Sequence, residues 1–173
     1  MLFAFKKINI FKQQRLTIWM KKMMTVGLIL EGDKILLGMK KTGFGEGRWN
    51  GFGGKVKPGE TIDQAVAREF KEESGIDVLR SEKFGEIDFE FRDNPEILEV
   101  HFYRILEYRG NPEESDEMRP QWFNINEIPY SIMWPDDKYW MPLFLRNKKF
   151  KGKIYFENQN TIISCNLKEL KSF

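Results

Sequence analysis

The segment GKVKPGETIDQAVAREFKEESGI, Gly54 to Ile76, constrains this chain more than any other stretch. Thr61 suits a helix N-cap, where its hydroxyl accepts a free backbone N–H, and Gln64 three residues on completes a capping box. Gly75 suits the left-handed residue that closes a helix. These signals predict a helix over Ile62–Ser74. At about 100° per residue, Ile62, Ala65, Val66 and Phe70 form one apolar stripe. Glu69, Glu72 and Glu73 project to that same side, while Gln64, Arg68 and Lys71 occupy the outer face. Ionised carboxylates are rarely buried unpaired, because their oxygens lose hydration there. The pattern therefore asks for a cation among them. Glu60 adds a fourth carboxylate just before the helix, and Arg68 is placed to orient or neutralise one of the acids.

A hard divalent ion relieves both the repulsion and the missing donors, and Mg²⁺ keeps waters and pairs with substrate phosphates. A solvated acidic face is the competing reading of E-x-x-E-E. Such a face should lie opposite the apolar stripe, and this one does not.

The 173 residues suffice for one domain with a core. No apolar run approaches the roughly 20 residues needed to span a bilayer. The net charge of +2 is uneven: residues 1 to 22 hold Lys6, Lys7, Lys12, Arg15, Lys21 and Lys22 and no acid. Removing these six from 28 basic residues leaves 22 against 26 acids, a net of −4. A mildly acidic body argues against a polyanion-binding surface and for a metal-recruiting site. We therefore divide the chain into a basic leader, 1–22, read as disordered or targeting, and a domain over 23–173. The single cysteine, Cys165, forms no intrachain disulfide, which suits a reducing compartment. The expected location is the cytoplasm, with mitochondrial or nuclear placement left open by the leader.

Along the body, Met24–Leu30 and Lys34–Met39 read as a hairpin about Glu31-Gly32-Asp33. Lys40–Gly54 carries six glycines in fifteen residues, a density that suits close backbone approach to a ligand. Ile76–Leu79 begins a β segment. Phe84–Arg92 and Ile97–Leu106 form a second hairpin about Asp93-Asn94-Pro95, with His101 structural. Arg109–Arg119 reads as a polar loop and Gln121–Ile125 as a short strand. Trp134-Pro135-Asp136-Asp137 opens a helix with Pro at its first position, continuing to Arg146 and ending over Lys148–Phe150. Lys153–Glu157 and Thr161–Asn166 read as a terminal hairpin. Two helices on a mostly antiparallel or mixed sheet define an α+β class.

The string Gly54-x5-Glu60-x7-Arg68-Glu69-Phe70-x-Glu72-Glu73-x-Gly75-Ile76 resembles the Nudix box at every fixed position. The segments LLGMKKTGFGEGRWNGFGGKV, ESDEMRP and MWPDDKYW resemble the animal oxidised-purine nucleoside triphosphatases of that family, which are related to MutT. The resemblance runs from about residue 24 to the C-terminus. It implies the Nudix fold, an α/β/α sandwich about a mixed sheet. It implies Mg²⁺, with Mn²⁺ as a substitute, and hydrolysis of 8-oxo-dGTP or 2-hydroxy-dATP to a monophosphate and pyrophosphate. The metal group would be Gly53 through its carbonyl, Glu69, Glu72, Glu73 and Glu117, with Arg68 and Glu60 in support. The purine pocket would use Asn50, Asp136 and Asp137 as polar groups. Phe44, Phe89, Trp134 and Trp140 would form its walls, with Thr25 and Lys40 at the rim. The partner implied is a small-molecule nucleotide, with no direct nucleic-acid contact, no membrane and a monomeric chain. Leu98, Glu86, Asp88 and Thr42 depart from the methionine, glutamine, valine and arginine of the best-known members, which would alter pocket polarity and triphosphate contact. Another nucleotide substrate (an O6-methylated purine, a dinucleoside polyphosphate or a cap-like compound) and a non-catalytic nucleotide-binding module are the alternative readings.

Overall fold

Helix α1 spans Ile62–Ser74, the bounds read from its caps. Thr61 Oγ1 accepts from the Gln64 N–H at 3.2 Å, and Gln64 Oε1 accepts from the Thr61 N–H at 2.8 Å. Gly75 ends the helix in the left-handed region at φ 75°. The computed structural model describes residues 20–173, so the reading of residues 1–19 lies outside the described part.

Strand β1, Met20–Glu31, starts earlier than the sequence suggests. Lys21 and Lys22, assigned above to the leader, are sheet residues. Lys21 Nζ pairs with Glu99 at 2.6 Å and Asp88 at 3.2 Å, and Lys22 Nζ pairs with Glu96 at 3.2 Å. β1 turns antiparallel into β2, Lys34–Lys40, then parts from it. The short β3, Trp49–Asn50, which carried no sequence signal inside the Gly-rich loop, takes its place beside β2.

The segments Ile76–Leu79 and Phe84–Arg92 join into one long strand, β4, Asp77–Phe91. Register shifts between Val78 and Gly85 interrupt its alternation and hide the continuity. β5 runs Glu96–Arg109 and β6 Met118–Asn124, both longer than their periodicity implied. A 3₁₀ turn, Tyr130–Ile132, precedes helix α2, Asp137–Leu145. Pro135 stands before α2 rather than at its first position, and Asp136 is the N-cap residue. β7, Lys149–Asn158, takes in Lys149 and Phe150, which the sequence reading gave to the helix end. β8, Thr161–Leu170, completes the terminal hairpin.

The sheet runs β3-β2-β1-β5-β4-β7-β8, with β6 on the far edge of β2. β1 is parallel to β5 and β4 to β7, while the other pairs are antiparallel, so the sheet is mixed as expected. Each face carries one helix. Val66 and Phe70 of α1 pack on Ile29, Leu36, Phe52 and Ile105. Trp140, Met141 and Phe144 of α2 pack on Leu28, Ile87, Phe102 and Phe150 of the opposite face. Among the described residues, no helix is long and apolar enough to cross a membrane.

Candidate active site

Burial of Phe70 and Ser74 carries the last turns of α1 against the sheet, and Glu73 goes with them, only 2% exposed. Its Oε2 accepts from the Gly53 N–H at 2.8 Å, and its Oε1 meets Lys40 Nζ at 3.1 Å. Burial pushes Glu73 up to about 7, against the pull of that N–H and of Lys40. Lys40 also reaches Glu117 at 2.9 Å. Burial works against its charge, but Glu117 and Glu73 outweigh burial and hold it above its usual value. The Gly53–Gly54 segment lies flat between β1 and α1. A Cβ on Gly53 would stand 2.0 Å from the Thr25 carbonyl oxygen, and one on Gly54 would stand 2.7 Å from the Glu69 carboxylate. Gly54 O accepts from Thr25 N–H at 2.8 Å, and the half-buried turn is thereby locked to β1.

Two positions of α1 differ from the helical projection. Arg68, assigned to the outer face, curls inward. Its Nε bonds Glu60 at 2.7 Å, its Nη1 bonds Glu69 at 2.7 Å and Glu72 at 3.1 Å, and its Nη2 donates to the Lys55 carbonyl at 3.0 Å. A long side chain can bend around the helix to reach acids that its Cβ direction does not face. Glu72 is the opposite case: it is exposed, between Arg68 and Lys57 Nζ at 3.8 Å. The Arg68 bond and the Lys57 N–H hold Glu60 down to about 2.

Lys40 and Arg68 thus stand among the box carboxylates. Among the described residues, no three acidic, His or Cys side chains meet closely enough to cage an ion as they are placed. The donor chemistry still fits a hard divalent ion. Oxygens of Glu69, Glu72, Glu73 and Glu117 border one cavity with Gly53, and Glu72 and Glu117 are exposed enough to turn.

At the other end, α2 begins with two carboxyls buried side by side, Asp136 at 4% and Asp137 at 2% exposure. Trp140 Nε1 donates to Asp136 Oδ2 at 3.0 Å, and the Trp134 N–H donates to Asp137 Oδ2 at 3.0 Å. Burial pushes Asp136 up to about 6. Burial, and then the Asp136 charge, raise Asp137 well above the carboxylate range. The positive charge of Arg48 opposes both. Asn50 Oδ1 accepts from the Gly51 N–H at 2.9 Å, which orients its amide. Phe44 lies 4.9 Å from Trp134 in a tilted stack and meets Phe91 edge-on at 6.1 Å. Trp140 is a core residue, packed 4.4 Å from Phe102; it also lines the cavity and donates to Asp136 there.

A single cavity of about 690 Å³ joins the two ends. It is lined by Thr25, Lys40, Phe44, Asn50, Gly53, Arg68, Glu69, Glu72, Glu73, Phe89, Glu117, Trp134, Asp136, Asp137 and Trp140. Of the residues selected from sequence, only Glu60 stays off the lining, behind Arg68. Leu98 and Thr42 line it, but Glu86 and Asp88 do not. Strand alternation turns Glu86 and Asp88 to the opposite face, where Glu86 pairs with Lys83 at 2.5 Å and Lys151 at 2.6 Å. Their substitution therefore leaves the lining's polarity alone. The sequence reading missed Phe91 and Phe156 as wall residues. The Ile87-Phe89-Phe91 alternation could have supplied Phe91; Phe156 arrives through the parallel β4–β7 pairing, which has no local signal.

An acidic helix terminus facing a glycine turn, on one side of a mixed sheet between two helices, defines the Nudix class. The NUDIX domain family matches residues 21–144, and the chain belongs to that family. It is 51% identical over 152 residues to the oxidized purine nucleoside triphosphate hydrolase of Mus musculus, covering 88% of this chain and 97% of that protein. The Danio rerio protein of the same name is also 51% identical, over 87% of this chain and 96% of its own. A MutT protein of Bacillus halodurans superposes with a TM-score of 0.75 at 25% identity, covering 84% of this chain and 97% of that one.

Proposed function

We propose that this protein hydrolyses oxidised purine nucleoside triphosphates of the 8-oxo-dGTP and 2-hydroxy-dATP type to the monophosphate and pyrophosphate. The observation that carries the reading is the continuous cavity with the box carboxylates at one end and the protonatable aspartate pair at the other. The similarity to the mouse and zebrafish hydrolases supports it over most of the chain.

Nudix hydrolases use divalent cations, and the group that would hold Mg²⁺ here is Glu69, Glu72, Glu73 and Glu117 with the Gly53 carbonyl. When bound, the ion neutralises triphosphate charge and lowers the pKa of a water. The chain's own part is positioning. Arg68 fixes Glu69 while it remains tied to Glu60. The Gly53 N–H fixes Glu73. Lys40, Lys55 and Lys57 line the same end and supply positive charge for phosphate oxygens. Water attack on a phosphorus then expels pyrophosphate with no side-chain nucleophile required. At the base end, a carboxyl that keeps its proton both donates and accepts, whereas its ionised neighbour only accepts. Such a pair suits the altered edges of more than one oxidised purine.

The test is pyrophosphate release from 8-oxo-dGTP, 2-hydroxy-dATP, O6-methyl-dGTP and dGTP measured side by side with Mg²⁺. The oxidised substrates should be turned over far more efficiently than dGTP. Equal efficiency with dGTP sinks the specificity, and preference for the methylated base redirects it. Glu73→Gln should lower kcat by about 10²–10³-fold, the range seen when one group stabilising developing charge is removed. Near-normal turnover in that variant refutes the metal group.

A further inference from the structure

Arg48 lies within the Gly-rich loop, yet its side chain leaves that loop and meets two separate elements beside Trp134. Nη1 donates to the Met133 carbonyl at 2.8 Å. Nη2 donates to Asn160 Oδ1 at 2.7 Å and to the Gln159 carbonyl at 3.3 Å in the β7–β8 turn. The guanidinium carbon lies 4.6 Å from the Trp134 ring centroid. Its carbonyl accepts from the Lys40 N–H at 2.9 Å, so its main chain is anchored at the end of β2. One residue thus ties the strand that carries Lys40 to the segment that opens α2 and to the terminal hairpin. No step of the proposed hydrolysis at the phosphates uses its side chain.

We propose that Arg48 is a positioning residue for base recognition, holding the Trp134 indole as a pocket wall by clamping the 133–134 segment and the 159–160 turn to the Gly-rich loop. This rests on the reading that the pocket selects oxidised purines. The chemistry asks for arginine. A planar fork serves divergent acceptors while its face lies on an aromatic ring, whereas an ammonium is a point charge that cannot stack. Without the clamp, Trp134 keeps the tilted Phe44 stack at 4.9 Å, the Phe156 edge at 6.5 Å and its packing over Gly45, and among the described residues no other hydrogen bond ties its segment to the loop. Phe44 is itself 56% exposed, so it is a weak support for the indole.

The experiment compares wild type with Arg48→Lys and Arg48→Met. It measures KM and kcat for 8-oxo-dGTP and dGTP, and amide hydrogen exchange in peptides covering Met133–Trp134 and Gln159–Asn160. In both variants KM for 8-oxo-dGTP should rise about tenfold while kcat stays near wild type, a loss of about 1.4 kcal/mol. The preference for the oxidised purine should fall with it, and exchange in both peptides should quicken. A merely structural Arg48 would lower the active fraction and apparent kcat with KM and preference unchanged, which overturns the proposal. Wild-type KM in Arg48→Lys also overturns it, since charge alone would then suffice. Arg48→Lys keeps size and charge, so the test stands if Arg48→Met fails to fold. If wild type itself shows no preference for oxidised purines, the substrate reading fails. The exchange measurement still judges the clamp in that case, and unchanged exchange in both peptides refutes it.

Discussion

Burial raises Asp136 and Asp137, so each holds its proton to a higher pH in the folded chain than in the unfolded one. Folding raises Asp136 from 3.8 to about 6, with burial as the cause, so between those values the native state binds more protons than the unfolded one. Stability linked to this group is therefore greatest below pH 4 and falls as pH rises toward 6. Asp137, also raised by burial and then by the Asp136 charge, acts in the same direction. Asp136→Asn removes one titration while keeping the shape. Relative to wild type, the variant should therefore gain stability on moving from pH 4 to pH 7, because it no longer loses a buried proton over that range. Urea unfolding of both proteins at the two pH values checks this. Parallel pH dependence in the two proteins would show that the carboxyl is not held protonated. Asp136 and Asp137 were selected from sequence through family resemblance, because alone they read as ordinary acids at a helix start. Arg48 was not legible. Its acceptors Met133 and Asn160 lie 85 and 112 positions away, and no local pattern encodes a partner at that distance.

Legibility at the scale of elements follows how local the forces are. The capping box and Gly75 act within one helix, and both bounds of α1 follow from them. β3 is held by two residues pairing with Gly38 and Met39, so nothing in Trp49–Asn50 itself announces a strand. β4 hides its continuity in shifts of register that only its β5 partner reveals. Arg68 shows the limit of a helical projection, which places Cβ directions and not the tip of a long side chain. The same division predicts two opposite mutants. Thr61→Ala removes one half of a capping box that lies off the cavity lining, which should cost about 1 kcal/mol and spare kcat. Gly53→Ala puts a methyl group where the Thr25 carbonyl already sits, 2.0 Å from the added carbon. The turn must move away from β1, and the N–H that fixes Glu73 moves with it. An overpacking cost of about 1–3 kcal/mol should accompany the loss of most activity. Denaturant midpoints and turnover separate the two, and a fully active Gly53→Ala would mean that the Glu73 bond does not position the site.

The whole molecule places a deficit of positive charge at one end of an apolar-walled cleft. Among the described residues, Glu60, Glu69, Glu72, Glu73 and Glu117 face only Lys40 and Arg68 in direct ion pairs, apart from the long Lys57–Glu72 contact. Those pairs should let the chain fold without an ion. Each helix packs its face of the sheet through apolar contacts that need no ion, and the buried Glu73 already has both Lys40 and the Gly53 N–H. Fold and reaction should accordingly part company when metal is removed. Chelation with EDTA should abolish turnover and shift Tm by no more than a few degrees. A structural metal would behave otherwise, because its binding energy is folding energy. Restoring Mg²⁺ together with a non-hydrolysable triphosphate analogue at about 100 times its Kd should stabilise the native state by about 2.7 kcal/mol. For a chain of this size that is a rise in Tm of about 5–11 °C. The rise should shrink in Glu73→Gln, which keeps a Gly53 acceptor but lacks the charge, and it should persist in Thr61→Ala. A large fall in Tm on chelation alone would mean that the acidic end is built around its ion, and that Lys40 and Arg68 are not the partners that let it fold.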